Sequence, residues 1–142
     1  MKLAVPQDKR LLHTMLTPIR WGDMDAMGHV NNTLYLRYME SARIQLMEDR
    51  GFAVNPIGEG FVIANIFCNF IRQLEYPGEV LVRSYVGAIG RSSFDMYHEL
   101  LRTDDPDDTV YANGGATMVW LDFPNQKAMP LPDGLRKWLT QG

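Results

Sequence analysis

Arg20-Trp21-Gly22-Asp23-Met24-Asp25-Ala26-Met27-Gly28-His29-Val30-Asn31-Asn32, running into Thr33-Leu34-Tyr35-Leu36-Arg37-Tyr38-Met39-Glu40-Ser41-Ala42-Arg43 and on to Gly51, decides how the rest of the chain is read. Tyr35, Met39, Ala42 and Leu46 fall at i, i+4, i+7 and i+11, and Leu34 and Tyr38 widen the same apolar face. Arg37, Glu40, Arg43 and Glu48 fall mostly elsewhere. Asn31 or Asn32 suits the N-cap, and Gly51 stands where a left-handed residue ends a helix. The spacing predicts a helix over residues 33–50, about 27 Å long, which needs a sheet to cover it. Two carboxylates, Asp23 and Asp25, precede its N-terminus, where free backbone N–H groups and partial positive charge collect. A carboxylate beside such donors can act on an acyl carbonyl.

Outward from this stretch, residues 11–20 alternate as a first strand, made irregular by Pro18. Residues 53–60 carry Pro56, Gly58 and Gly60 and read as a loop. In residues 61–74, Val62, Ala64, Ile66, Cys68 and Phe70 alternate with Ile63, Asn65, Phe67 and Asn69, a strand with two distinct faces. Strands over residues 80–89 and 92–103 flank Gly90-Arg91, a pair suited to a two-residue hairpin. An acidic turn at residues 104–108 leads to a long strand over residues 109–123. Its Gly114-Gly115-Ala116 centre permits a bulge or the close approach of another backbone or helix. Residues 130–142 end in a short amphipathic helix with Leu135, Trp138 and Leu139 inward. Strands joined by short turns must pair antiparallel, so the expected class is α+β: one sheet of five or so strands against one long helix, in a single domain over residues 1–142.

With 142 residues and 46% hydrophobic content, the chain suits a globular domain with its own core. No apolar run is long enough to span a bilayer, and the start of the chain lacks the apolar centre of a signal peptide. The single Cys68 rules out an intramolecular disulfide and a cysteine-based metal site, so a cytoplasmic protein is expected. Asn31-Asn32-Thr33 matches a glycosylation sequon that such a location leaves unused. A net charge of −3 argues against nucleic-acid binding while leaving room for a local basic patch.

Other chemistries fit Asp23 to His29 poorly. As an EF-hand loop it would carry Met27 at the fifth position and Leu34 at the twelfth, so calcium is not expected. His13 and His98 offer no matching spacing for a transition metal beside Asp23, Asp25 and His29. The segment before Asp23 is a poor version of the buried strand that precedes an Asp-x-Asp phosphoryl-transfer site, and no Gly-x-Ser-x-Gly elbow supports a serine triad. Read without further context, Asp23 and Asp25 serve equally well as turn formers and His29 as a junction histidine.

The stretch from Arg20 to Asn32, with Tyr35, Glu40 and Arg43 downstream, resembles the signature of the 4-hydroxybenzoyl-CoA thioesterase-like family of hotdog-fold acyl-CoA thioesterases. The resemblance implies a sheet wrapped around the central helix, a homodimer or dimer of dimers with shared sites, and an acyl-CoA substrate hydrolysed to CoA and a free carboxylate without a cofactor. Carried across, the catalytic carboxylate falls on Asp25, as nucleophile or general base, with Asp23 structural in the turn. The oxyanion donor falls on the backbone of Asn32, and His29 joins the catalytic set as an orienting residue or structural donor, with acid–base catalyst as the alternative role. Gly90 to Ser93 fall in the region of CoA contacts; Arg91, Ser92 and Ser93 suit phosphate binding, with Arg72, Arg83 and Arg102 as candidate extensions. Trp21, Met24, Met27 and Phe61 are candidates for the acyl pocket. His29-Val30-Asn31-Asn32 also resembles plant acyl-carrier-protein thioesterases, although their asparagine position holds Met27 here. The alternatives are thus an acyl-carrier-protein thioesterase and an acyl-CoA or carrier-protein binding module without turnover.

Overall fold

A computed structural model of the chain describes residues 3–53 and 55–141. Met1, Lys2, Val54 and Gly142 lie outside the described residues, so the chain start, the expected loop at Val54 and the last residue of the C-terminal segment carry no structural comparison. The element order is β1 (Arg10–Pro18), a 3-10 turn (Trp21–Asp23), α1 (Asn32–Asp49), β2 (Glu59–Phe70), β3 (Glu79–Ile89), β4 (Ser93–Arg102), β5 (Ala112–Asp122), β6 (Lys127–Ala128) and α2 (Asp133–Thr140). All pairings are antiparallel, in the order β1-β3-β4-β5-β2, with the two-residue β6 attached to the end of β5. The expected α+β class holds, with six strands and two α-helices among the described residues. No helix among the described residues is long and apolar enough to cross a membrane.

Helix α1 starts one residue earlier than its periodicity predicts. Asn31 is the N-cap and takes the Thr33 N–H on its side-chain oxygen at 2.9 Å. At the other end Gly51 adopts φ 81°, and the Phe52 N–H reaches the Met47 carbonyl while the Gly51 N–H reaches Glu48, a Schellman closure. Tyr35, Met39, Ala42 and Leu46 are all buried against the sheet, and a leucine placed there contributes about 1.5–3 kcal/mol. Arg43, expected on the polar side, is instead 4% exposed. Its Nη1 lies 3.3 Å from His98 Nε2, and His98 Nδ1 lies 2.9 Å from Ser84 Oγ. A guanidinium can only donate, so Nε2 must accept and Nδ1–H donates to Ser84. Burial, reinforced by the Arg43 charge, pushes the His98 imidazole down to about 3.

The faces of β2 differ from simple alternation. Its register with β5 shifts between Ile63 and Asn65, leaving Ala64 as an extra residue. Phe61 and Ile63 oppose the buried Trp120 and Met118, whereas beyond the bulge Ile66, Cys68 and Phe70 oppose Ala116, Gly114 and Ala112. Cross-strand partners share a face, so Val62 does not lie with Ile66, Cys68 and Phe70 as the sequence suggests. At Gly114, a Cβ would come within 3.0 Å of Met39 Sδ and would strike the Phe67 carbonyl, which identifies its glycine with close helix approach and leaves the bulge to β2.

Candidate active site

The turn between β1 and α1 is built around Asp23. Its Oδ2 accepts the Arg20 N–H at 3.0 Å and the Tyr38 hydroxyl at 2.8 Å, and Arg20 Nη2 stands 3.3 Å from Oδ1. Burial of Asp23 opposes ionisation, but the Arg20 N–H and Tyr38 hydroxyl outweigh it and hold the carboxyl below its ordinary range. The Asn31 N–H donates to the Asp23 carbonyl at 2.9 Å, so one buried residue ties the turn to both the start and the body of α1.

Asp25 heads a second, tighter loop. Its N–H donates to the His29 carbonyl at 2.7 Å, and its carbonyl accepts the Gly28 N–H at 3.2 Å. Gly28 has φ 79°, a conformation that a side chain would strain. The Asp25 Oδ1 accepts the Met27 N–H at 2.8 Å and the His29 N–H at 3.3 Å. Both N–H groups engage Oδ1 and neither engages Oδ2, so the carboxylate is oriented through one oxygen. Asp25 is half-buried.

Helix geometry leaves the Asn32 N–H without an intrahelical acceptor, and the Asn31 side chain takes the N–H of Thr33 rather than that of Asn32. This donor follows the Asp25 loop directly, at the positive end of α1. His29 serves the loop through both backbone groups, while its Nε2 lies 3.5 Å from Glu75 Oε1. Glu75 had no signal in the sequence, because it reaches the site only through tertiary hooks. Tyr35 OH accepts the Leu74 N–H at 2.9 Å, and Arg102 donates to the Glu75 and Pro77 carbonyls, each at 2.7 Å. A cleft of about 560 Å³ opens beside the turn and α1, lined by Arg20, Thr33, Leu34, Arg37 and Ser41 among others.

Within one chain, Arg91, Ser92 and Ser93 are not brought to Asp25. They lie past the far end of β3, whose first residue Glu79 pairs with Pro18 near the Asp25 end; eleven strand residues span roughly 35 Å. The hairpin tip is Arg91-Ser92 rather than Gly90-Arg91, closed by the Gly90 N–H on the Ser93 carbonyl at 2.7 Å. Arg136 of α2 braces it by donating to the Gly90 and Arg91 carbonyls, each at 2.8 Å. Arg83 and Arg102 belong to the opposite end and are engaged by Asp108 and Asp104, so they do not extend an Arg91 patch. The expected acyl-pocket residues also divide. Trp21, Met24 and Met27 surround the Asp25 loop, whereas Phe61 lines a cavity of about 160 Å³ with Ile44, Met47, Glu48 and Ala53 beside the C-terminal half of α1.

An antiparallel sheet packed on a helix that follows a loop bearing an oriented carboxylate is a hotdog-type arrangement. The chain belongs to the thioesterase-like superfamily, whose sequence profile matches residues 19–139. It is similar to the PA2801 protein of Pseudomonas aeruginosa, provisionally described as a thioesterase, at 38% identity and TM-score 0.86 over 90% of this chain and 98% of that one. Long-chain acyl-CoA thioesterase FadM of Escherichia coli is 29% identical over 125 residues, 87% of this chain and 93% of that protein. The chloroplastic acyl-acyl carrier protein thioesterase ATL3 of Arabidopsis thaliana is 22% identical over 127 residues, 87% of this chain and 65% of that protein.

Proposed function

We propose that this chain is a single-domain, cytoplasmic acyl-CoA thioesterase of the 4-hydroxybenzoyl-CoA thioesterase-like kind, with Asp25 as its key residue. The supporting observation is the Asp25 carboxylate, aimed by the Met27 and His29 N–H groups and free at Oδ2, beside the capped start of α1. Two routes use that oxygen. As nucleophile, it attacks the thioester carbonyl, the C–S bond breaks to release CoA thiolate, and water hydrolyses the resulting anhydride. As general base, it takes a proton from the water that attacks the carbonyl, and the C–S bond then breaks to release CoA, whose thiolate takes up that proton. In either route the Asn32 N–H meets the developing oxyanion, and His29 holds the loop through its backbone.

The CoA phosphates fall to Arg91, Ser92 and Ser93 of a second copy. Antiparallel joining of two β2 edges sets the hairpin end of one sheet beside the Asp25 end of the other, which reconciles these residues with their distance from Asp25 in one chain. Ile63, Ile66 and Phe70 on β2 are 38%, 46% and 49% exposed, an apolar edge suited to that pairing. Likeness to ATL3 supports a carrier-protein thioester as the second reading. A thiol-release assay with matched acyl-CoA and acyl-carrier-protein thioesters tests both: turnover of the CoA series is expected, and binding of either thioester without thiol release identifies a non-catalytic module.

A further inference from the structure

We propose that Trp21 and Tyr76 form the acyl-selecting rim of the Asp25 site and favour thioesters with an extended apolar acyl group over acetyl thioesters; this rests on the hydrolase reading above. The two rings meet edge to face, 5.9 Å between centroids at 80°. They close a circuit of contacts around the Asp25 loop. The Trp21 carbonyl accepts the Met24 N–H at 3.2 Å, Asp25 is joined to His29 through its backbone, His29 Nε2 lies 3.5 Å from Glu75, and Tyr76 is the next residue. Trp21 is 76% exposed and Tyr76 44% exposed, while Met27, whose N–H aims Asp25, is 78% exposed.

Such exposure of large apolar groups beside a site marks a contact surface. The backbone that carries the rings is also held in place. Trp21 opens the 3-10 turn that Asp23 closes onto Arg20 and Tyr38. Tyr76 lies between Glu75 and Pro77, whose carbonyls both accept from Arg102. Two aromatic groups on a fixed backbone, with two side-chain torsions each, lose little conformational freedom on meeting a ligand. The edge-to-face ring surfaces and the Met27 thioether are apolar, so the part of the substrate they suit is the hydrocarbon leading away from the carbonyl at Asp25.

The test is kcat/KM for acetyl-, hexanoyl- and dodecanoyl-CoA with wild type, Trp21→Ala, Tyr76→Ala and Trp21→Phe, together with light scattering on each variant. The ratio of hexanoyl to acetyl is expected to fall about 10-fold in each alanine variant, since one lost apolar contact is worth roughly that much discrimination. Trp21→Phe should keep most of the ratio, which a merely structural role would not produce. Equal losses on all three substrates would overturn the rim, and equal losses with dissociation would show that a second copy covers these rings. If wild type releases no thiol, the hydrolase reading falls and the rim with it; if Asp25→Asn remains active, hydrolysis stands but the site is not at Asp25, and the rim placed around it falls. Asp25-dependent turnover with unchanged ratios removes the rim alone.

Discussion

At Asp25, substitution by asparagine separates chemistry from structure. Asn keeps an oxygen able to accept from Met27 and His29, so the loop survives, while the carboxylate proposed to attack or to take a proton is gone. Thiol release by Asp25→Asn is expected to drop by about two to four decades for a general base, or further for a nucleophile, with the melting temperature little changed. Asp23→Asn should do the reverse, because Asp23 is 3% exposed and its charge is what Arg20 and Tyr38 satisfy; a loss of ~1.5–3 kcal/mol in urea unfolding is expected. His98 sets a pH dependence of its own. Its folded value of about 3 lies below the ordinary imidazole value near 6.5, so the unfolded chain binds more protons between these limits. Stability is therefore fully present above about 6.5 and declines as pH falls toward 3, by at most about 1.4 kcal/mol per pH unit. His98→Gln, which can still accept from Arg43 and donate to Ser84, should flatten the decline between about pH 6.5 and 4.5, before most carboxylates titrate. An equally steep decline in that variant would assign the dependence to another group.

Between elements, the β3–β4 hairpin supplies the test of CoA binding. Arg136, Leu131 and Trp120 hold its tip through backbone carbonyls, so Arg91→Ala leaves those bonds in place. If the Arg91 side chain contacts a phosphate remote from the carbonyl, it binds ground and transition states alike. The variant is then expected to raise KM by about 10-fold with kcat nearly unchanged, and added salt should have the same effect. A pantetheine thioester lacking the nucleotide should not respond to Arg91→Ala; equal sensitivity would contradict the assignment. How much of this was legible follows the range of each interaction. Helix α1 was readable because Tyr35, Met39, Ala42 and Leu46 repeat with its period, and Asn31 and Gly51 mark its ends through local hydrogen bonding and φ. The faces of β2 were not, because the bulge at Ala64 depends on the register with β5 and leaves no trace in the alternation. Arg43 was misplaced for a similar reason, since its acceptor, His98, comes from β4. The Asp25 loop could be read from consecutive residues, whereas Glu75 arrives through Arg102 and Tyr35, and the distance from Asp25 to Arg91 emerges only when the strands are laid side by side.

For the whole molecule, β2 is the edge strand whose apolar exposure most needs an explanation. Among the described residues its backbone is paired to β5 on one side only, and Ile63, Ile66 and Phe70, with Ile71 just beyond at 43%, expose hydrophobic surface along it. An unpaired apolar edge is a template for a second strand, and another copy of β2 supplies one with complementary hydrogen bonding. Joined antiparallel, two copies would cover this surface and carry residues 60–65 and the Arg91 hairpin of each toward the Asp25 end of the other. The expected assembly is an obligate homodimer, or a dimer of dimers built from it. Sedimentation and light scattering at assay concentrations should detect no active monomer. Ile66→Lys places a charge on the paired edge and should shift the protein toward monomer while thiol release falls in proportion. Dissociation with full activity would contradict the shared site, because each Asp25 would then be sufficient with residues of its own chain. A dimer that persists in Ile66→Lys and is lost on substitution at the β1 edge would place the interface on the opposite side of the sheet.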